Sequence, residues 1–181
     1  MNDLRQMIDL IEAKSSQKLE LKKLPYSKSS LSPVLTSKNL DNHYDKLARG
    51  YVDRYNSKEG DPVFNEAGAF LHNLFFEQFQ SPKVSNNPIG PVAALIDKKY
   101  GSFGAFKSQV LKAAMSIQGS GWVYLSKSGE IKTIKNHAKR NDIKLLIDWW
   151  EHAWYMDYGT DKKKYLNNIW RIINWSVINS R

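Results

Sequence analysis

Four histidines occur in this 181-residue sequence: His43, His72, His137 and His152. The last stands four positions after Asp148, inside the segment IDWWEHAWYMDY. A carboxylate that ends a strand and an imidazole on the first turn of the next helix can make half of a metal site. The same segment also reads as an aromatic core helix, because it holds three tryptophans. Taken singly, a helical histidine is more often a surface or satisfied core residue than a ligand. Context changes that reading. His43 and His72 fall on two successive predicted helices, and a helical hairpin can bring them together. Three imidazoles and one carboxylate form a mixed N/O set suited to Fe, Mn or Zn. The chain has no cysteine, so disulfides, thiolate metal sites and cysteine nucleophiles are excluded. A cysteine-free ligand set also disfavours structural zinc.

The elements that must position these residues follow from periodicity. Leu4, Met7, Ile8 and Ile11 predict an amphipathic helix over 2–14. Residues 15–38 are rich in Ser, Lys and Pro and read as an extended, irregular connection. A helix capped by Ser37 carries Leu40, His43, Leu47 and Tyr51. NSKEGDP is a loop, and a second helix runs over 65–80. After a loop at 82–91 come helices over 92–100 and 102–117, the latter capped by Ser102 and closed near Gly119. The period then changes to two. WVYLSKSGEIKTIKN reads as a hairpin around Ser128-Gly129, and IKLLID as a third strand. Helices over 150–158 and 162–178 complete an α+β layout of helices first, then a small three-stranded antiparallel sheet with closing helices.

The hydrophobic share is 41%, ordinary for a globular chain and too high for a disordered one. No apolar run approaches the roughly 18 residues of a membrane span. Asp3, Asp9 and Glu12 near the N-terminus argue against a secretory signal or transit peptide. The net charge is +9, with a pI near 9.6, which attracts anions of any size. The lysines are scattered and form no arginine-rich tract. Nucleic acid is therefore expected as a partner only within a larger assembly.

The residues also carry a family resemblance. DWWEHAWYMDY resembles the D-x-W-E-H-A-Y-Y-x-D-Y signature of iron/manganese superoxide dismutases. LPYSKSSLSP resembles the family's opening segment, LDNHYDKLARGYV its first ligand helix and NEAGAFLHNLFF its second. GSFGAFKSQVLKAAMSIQGSGWVYL and YLNNIWRIINW are similar to the middle and last helix of the C-terminal half. The resemblance runs from about residue 24 to 178 in the family's order. It implies a helical hairpin domain over 24–90 supplying two histidine ligands, and an α+β domain over 91–181 supplying an aspartate and a histidine. The implied ligands of one Fe or Mn ion are His43, His72, Asp148 and His152. Tyr51 matches the gateway tyrosine of the substrate funnel. Phe70, Trp122 and Trp150 match pocket-wall positions. Glu151 and Tyr155 match residues that cross a homodimer interface. His137 is the candidate for hydrogen-bonding the metal's solvent ligand, and Gly68 fills the place where iron-type members often carry a glutamine.

Dismutation alternates two one-electron steps at the metal, so the resemblance implies an oxidoreductase acting on superoxide. Three differences from the family pattern stand out. Leu47 replaces a histidine that usually joins a proton-supply network with Tyr51 and Tyr155. Phe70 replaces a common tryptophan. His72 follows Tyr51 by only 21 positions, too few for the hairpin tip on which many members build a tetramer. Residues 1–22 precede the region of resemblance. They read equally as a loosely packed extension or as a docking element for a protein partner. With these features, an alternative role follows: a dismutase-like structural subunit of a mitochondrial ribosome or virus particle, with catalysis lost or secondary. An intracellular, reducing compartment is expected for the enzyme, and a ribosome or virion for the alternative.

Overall fold

The computed structural model describes residues 18–181. The helix expected over 2–14 lies outside the described residues, as does most of the 1–22 extension. Its last residues are held against the body. Asn56 clasps the backbone of Leu19 from both sides, with N–H to Oδ1 at 2.8 Å and Nδ2–H to O at 3.0 Å. Asn73 does the same between Lys22 N–H (2.9 Å) and Glu20 O (2.9 Å). Two side-chain amides thus pair an extended segment as a neighbouring strand would, and Leu19 and Leu21 pack towards Tyr51 and Val52.

The irregular 23–36 connection contains one short 3₁₀ turn, Lys28–Leu31. The cap of the first helix then lies one residue earlier than expected. Thr36 is the N-cap, accepting from Asn39 N–H at 3.2 Å, and Ser37 is already helical. Helix α1 (Ser37–Asn42) passes through a π-helical turn (His43–Ala48) into α2 (Arg49–Asn56). Such turns locally widen a helix and re-aim its side chains. Helix α3 (Pro62–Glu77) begins earlier than predicted, because Asp61 caps Val63 and Phe64 N–H (2.8 and 3.0 Å) and Pro62 suits the first turn. Helices α4 (Gly90–Tyr100) and α5 (Phe103–Ser116) follow, α5 capped by Ser102 as expected.

Strands β1 (Gly121–Ser126), β2 (Ile131–Lys135) and β3 (Ile143–Asp148) form an antiparallel sheet in the order β2-β1-β3. The central strand is buried throughout. Its Trp122 lies opposite Ile134 on one side and Asp148 on the other. Helix α6 (Glu151–Tyr158) follows β3 directly. The single closing helix expected over 162–178 is broken: α7 (Lys162–Ile169), a 3₁₀ turn (Trp170–Ile172) and α8 (Trp175–Ser180). The break has a cause. Ile173 pairs with Phe79 as an isolated bridge, and Asn174 caps α8 through Ser176 N–H. One continuous apolar core joins α3 to the sheet through Leu71, Phe75, Trp122 and Leu146.

Candidate metal centre

The π turn delivers His43, the middle of α3 delivers His72, the end of β3 delivers Asp148, and the first turn of α6 delivers His152. One donor atom from each lies within 4.8 Å of every other. Asp148 Oδ2 is 3.1 Å from His43 Nε2, 3.4 Å from His152 Nε2 and 3.7 Å from His72 Nε2. Donors about 2.1 Å from a shared ion stand roughly 3–4 Å apart, so the spacing fits.

The stronger test is what these atoms lack. All four are buried and none makes a hydrogen bond among the described residues. A buried polar atom without a partner costs about 1–3 kcal/mol, and four in one place are explained by a bound cation. Protonation follows the same logic. Burial lowers His43 to about 4 and pushes His72 well below the usual imidazole range, leaving neutral rings fit to ligate. Burial alone would raise Asp148, but the surrounding imidazoles of His152 and His43 outweigh it and keep the carboxyl ionised.

Neighbouring groups orient the donors. His72 Nδ1–H donates to Gly68 O at 2.7 Å, which leaves Nε2 free to ligate. Asp148 Oδ1 accepts from Trp150 N–H at 2.8 Å, which aims Oδ2 inward. The Tyr165 hydroxyl donates to Asp148 O at 3.1 Å. His43 is set by packing against Phe76 (4.9 Å between ring centres), His152 (4.6 Å) and Phe75 (5.5 Å).

His137 joins the site from the loop after β2. Trp122 Nε1–H donates to its Nδ1 at 3.1 Å, and its Nε2 lies 3.0 Å from the Tyr51 hydroxyl. Its ring stacks on Trp150 at 4.5 Å and 17°. An indole nitrogen can only donate, so Nδ1 must carry the lone pair. Burial lowers His137 to about 4, so the ring is neutral and its single proton sits on Nε2. That proton is given to the Tyr51 oxygen, and the phenolic hydrogen is left free to point into the site. Burial, reinforced by the charge of Asp148, raises Tyr51 to about 12, so the phenol keeps this proton.

One sequence expectation needs adjustment, and two rings of the site had not been singled out. Phe70 is half-buried under the Lys139 ammonium (5.6 Å) and touches none of the site's rings. Phe64 takes its place, 4.7 Å from His137 and 5.9 Å from Tyr51, and the sequence reading had not singled it out. Phe76 was likewise missed. Only the helical spacing His72, Phe75, Phe76 hinted that these rings share the ligand's face. Glu151 and Tyr155, expected at a homodimer interface, are exposed on α6, Tyr155 with 52% of its surface.

Fold and site together define a protein with a buried four-donor site for one metal ion, set between a helical hairpin and a three-stranded sheet. Residues 88–181 match the family described as "Iron/manganese superoxide dismutases, C-terminal domain". The superoxide dismutase [Fe] of Bacteroides fragilis is 34% identical over 90% of this chain and 98% of its own length. The superoxide dismutase [Mn/Fe] of Porphyromonas gingivalis is 32% identical over the same shares, and the superoxide dismutase [Fe] of Escherichia coli is 31% identical over 88% and 95%. The chain belongs to the iron/manganese superoxide dismutase family.

Proposed function

We propose that this chain is an iron- or manganese-dependent superoxide dismutase: two superoxide anions and two protons become one oxygen and one hydrogen peroxide. The observation that carries this is the convergence of four unpartnered donor atoms in a chain whose relatives bear that name over nearly their whole length. The same likeness favours catalysis over a purely structural role in a larger assembly. When bound, the ion supplies the electron acceptor and donor between which dismutation alternates.

The protein's own residues do the rest. His43, His72, Asp148 and His152 hold the ion, two from each of two units, 24–90 and 91–181. Trp122, Trp150 and Phe64 wall the site and limit it to a small substrate. Tyr51, kept protonated and oriented by His137, presents a hydroxyl donor where a reduced oxygen species needs a proton. Residues 88–181 contain fifteen Lys/Arg against seven Asp/Glu, while 1–87 contain twelve against eleven. The positive field therefore lies on the half that includes Asp148 and His152, and it favours approach of an anion.

A homodimer belongs to the same reading. The outer face of α6 carries exposed Glu151, Tyr155 (52%) and Met156 (38%) beside the partly open edge of His152. A second copy covering this face would let Glu151 reach the partner's imidazole. No helix among the described residues is long and apolar enough to cross a membrane. An intracellular, reducing site of action suits the cysteine-free sequence.

The test is direct. Purified protein should carry one Fe or Mn per chain and remove superoxide, and His72→Ala should abolish both. Metal-free, inactive wild-type protein would overturn the reading. For the dimer, Glu151→Ala should weaken association and metal retention together. A variant that stays dimeric and fully metallated would count against the cross-interface role.

A further inference from the structure

His137 ought not to face Trp122 at all. In register, Trp122 lies opposite Ile134, so these two side chains share one face of the sheet. Both are fully buried, which marks that face as the core side. Lys135, opposite Gly121, points to the other face and is exposed. Pairing continues for one more residue, since Asn136 N–H donates to Ser120 O at 3.0 Å. Side chains alternate along a strand. A straight continuation would therefore send residue 137 to the face of Lys135, away from the site.

The chain does not continue straight. Asn136 adopts φ +53°, in the left-handed region that only glycine, and to a lesser degree asparagine and aspartate, occupy readily. The reversal follows immediately on the last strand pairing and immediately before His137. It turns the imidazole back over the core face, into its contacts with Trp122, Tyr51 and Trp150.

We propose that Asn136 is a positioning residue for the proton-handling pair Tyr51–His137: its left-handed backbone, rather than its side chain, sets the imidazole between Trp122 and the phenol. The Asn136 side chain makes no hydrogen bond among the described residues, as this role requires. The inference rests on the reading of His137 as part of the site, and the test separates the two. Asn136→Gly keeps the conformation available and should retain dismutation within about twofold. Asn136→Val opposes it and should lose about tenfold at unchanged metal content, approaching the level of His137→Ala. In a double-mutant cycle, Asn136→Val should cost nothing further in activity once His137 is alanine. The same non-additivity should appear in the unfolding midpoint, which needs no activity at all. Should Asn136→Val fail to fold, Asn136→Ala poses the same question at lower strain. Full activity in the valine or alanine variant would overturn the proposal, as would equal losses with and without His137. If His137→Ala is itself silent in activity while the midpoints still couple, the catalytic reading of His137 fails and the positioning stands.

Discussion

The hairpin delivers two histidines to one centre by different means. His72 sits in a regular α-helix, and a hydrogen bond from Nδ1 to Gly68 O leaves Nε2 as the nitrogen free to ligate. His43 sits at the start of a π turn, and its Nδ1 is buried without a partner. Four rings, those of His152, Phe76, His72 and Phe75, crowd it into place instead. A hydrogen bond selects both orientation and tautomer, whereas packing selects orientation alone. The two ligands should therefore fail differently, and mutations can separate them.

The largest effect is expected at the hydrogen-bonded ligand. His72→Ala removes a donor and leaves Asp148 facing an incomplete site. Metal content by mass spectrometry should fall to near zero, with activity down by more than the roughly 10–100-fold typical of an outer partner. Gly68→Gln comes next. A Cβ there would lie 2.8–3.0 Å from the Tyr51 ring. The phenol must move, so a stability loss of about 1–3 kcal/mol and reduced turnover are expected. Retained stability and activity would show that Tyr51 can yield.

Acid should act on both ligands alike. His43 and His137 are lowered to about 4, and His72 well below its ordinary 6.5. Between about pH 6.5 and 4 the unfolded chain binds protons that the folded chain refuses, so stability falls as pH falls. Each such group contributes up to about 1.4 kcal/mol per pH unit. Urea midpoints of the metal-free protein at pH 7, 5.5 and 4.5 should decline accordingly, and a flat profile would contradict buried neutral imidazoles. Phe76→Leu should loosen His43 more than His72, because the ring centres lie 4.9 and 6.2 Å away. A few-fold faster metal loss, with the fold stable to within about 1.5 kcal/mol, is the expected reading. Leu47→His should change least. Tyr51 already spends its oxygen on His137, so activity should stay within about twofold.

Much of this was legible in the sequence, for identifiable reasons. The sheet was readable because β1 and β3 alternate or run apolar between clear turns, and the order of elements followed from period alone. The candidate histidines were legible because the chain holds only four, and Asp148 because it stands four positions before one of them. What escaped had tertiary causes. Phe64 and Phe70 look alike in sequence, and only the roll of α3 decides which one meets His137. The break at Ile173 arises from pairing with Phe79, 94 positions earlier in the chain. Thr36 and Ser37 are both good caps, and Asp157 settles the choice by accepting from Thr36 N–H and Oγ1–H at 3.1 and 2.6 Å.

One residue outside the centre adds a polar link to the apolar core that joins the halves. Gln78, just past α3, uses its side-chain amide as a strand would: Nε2–H donates to Leu146 O, and Oε1 accepts from Leu146 N–H at 3.2 Å. Gln78 lies six residues beyond His72, and Leu146 two before Asp148. The amide therefore works as a latch between the two ligand-bearing segments. Exchange of the ion should be gated by the lifetime of that latch. Slow metal uptake into folded protein, quickened by Gln78→Ala or by brief warming, would be its kinetic signature.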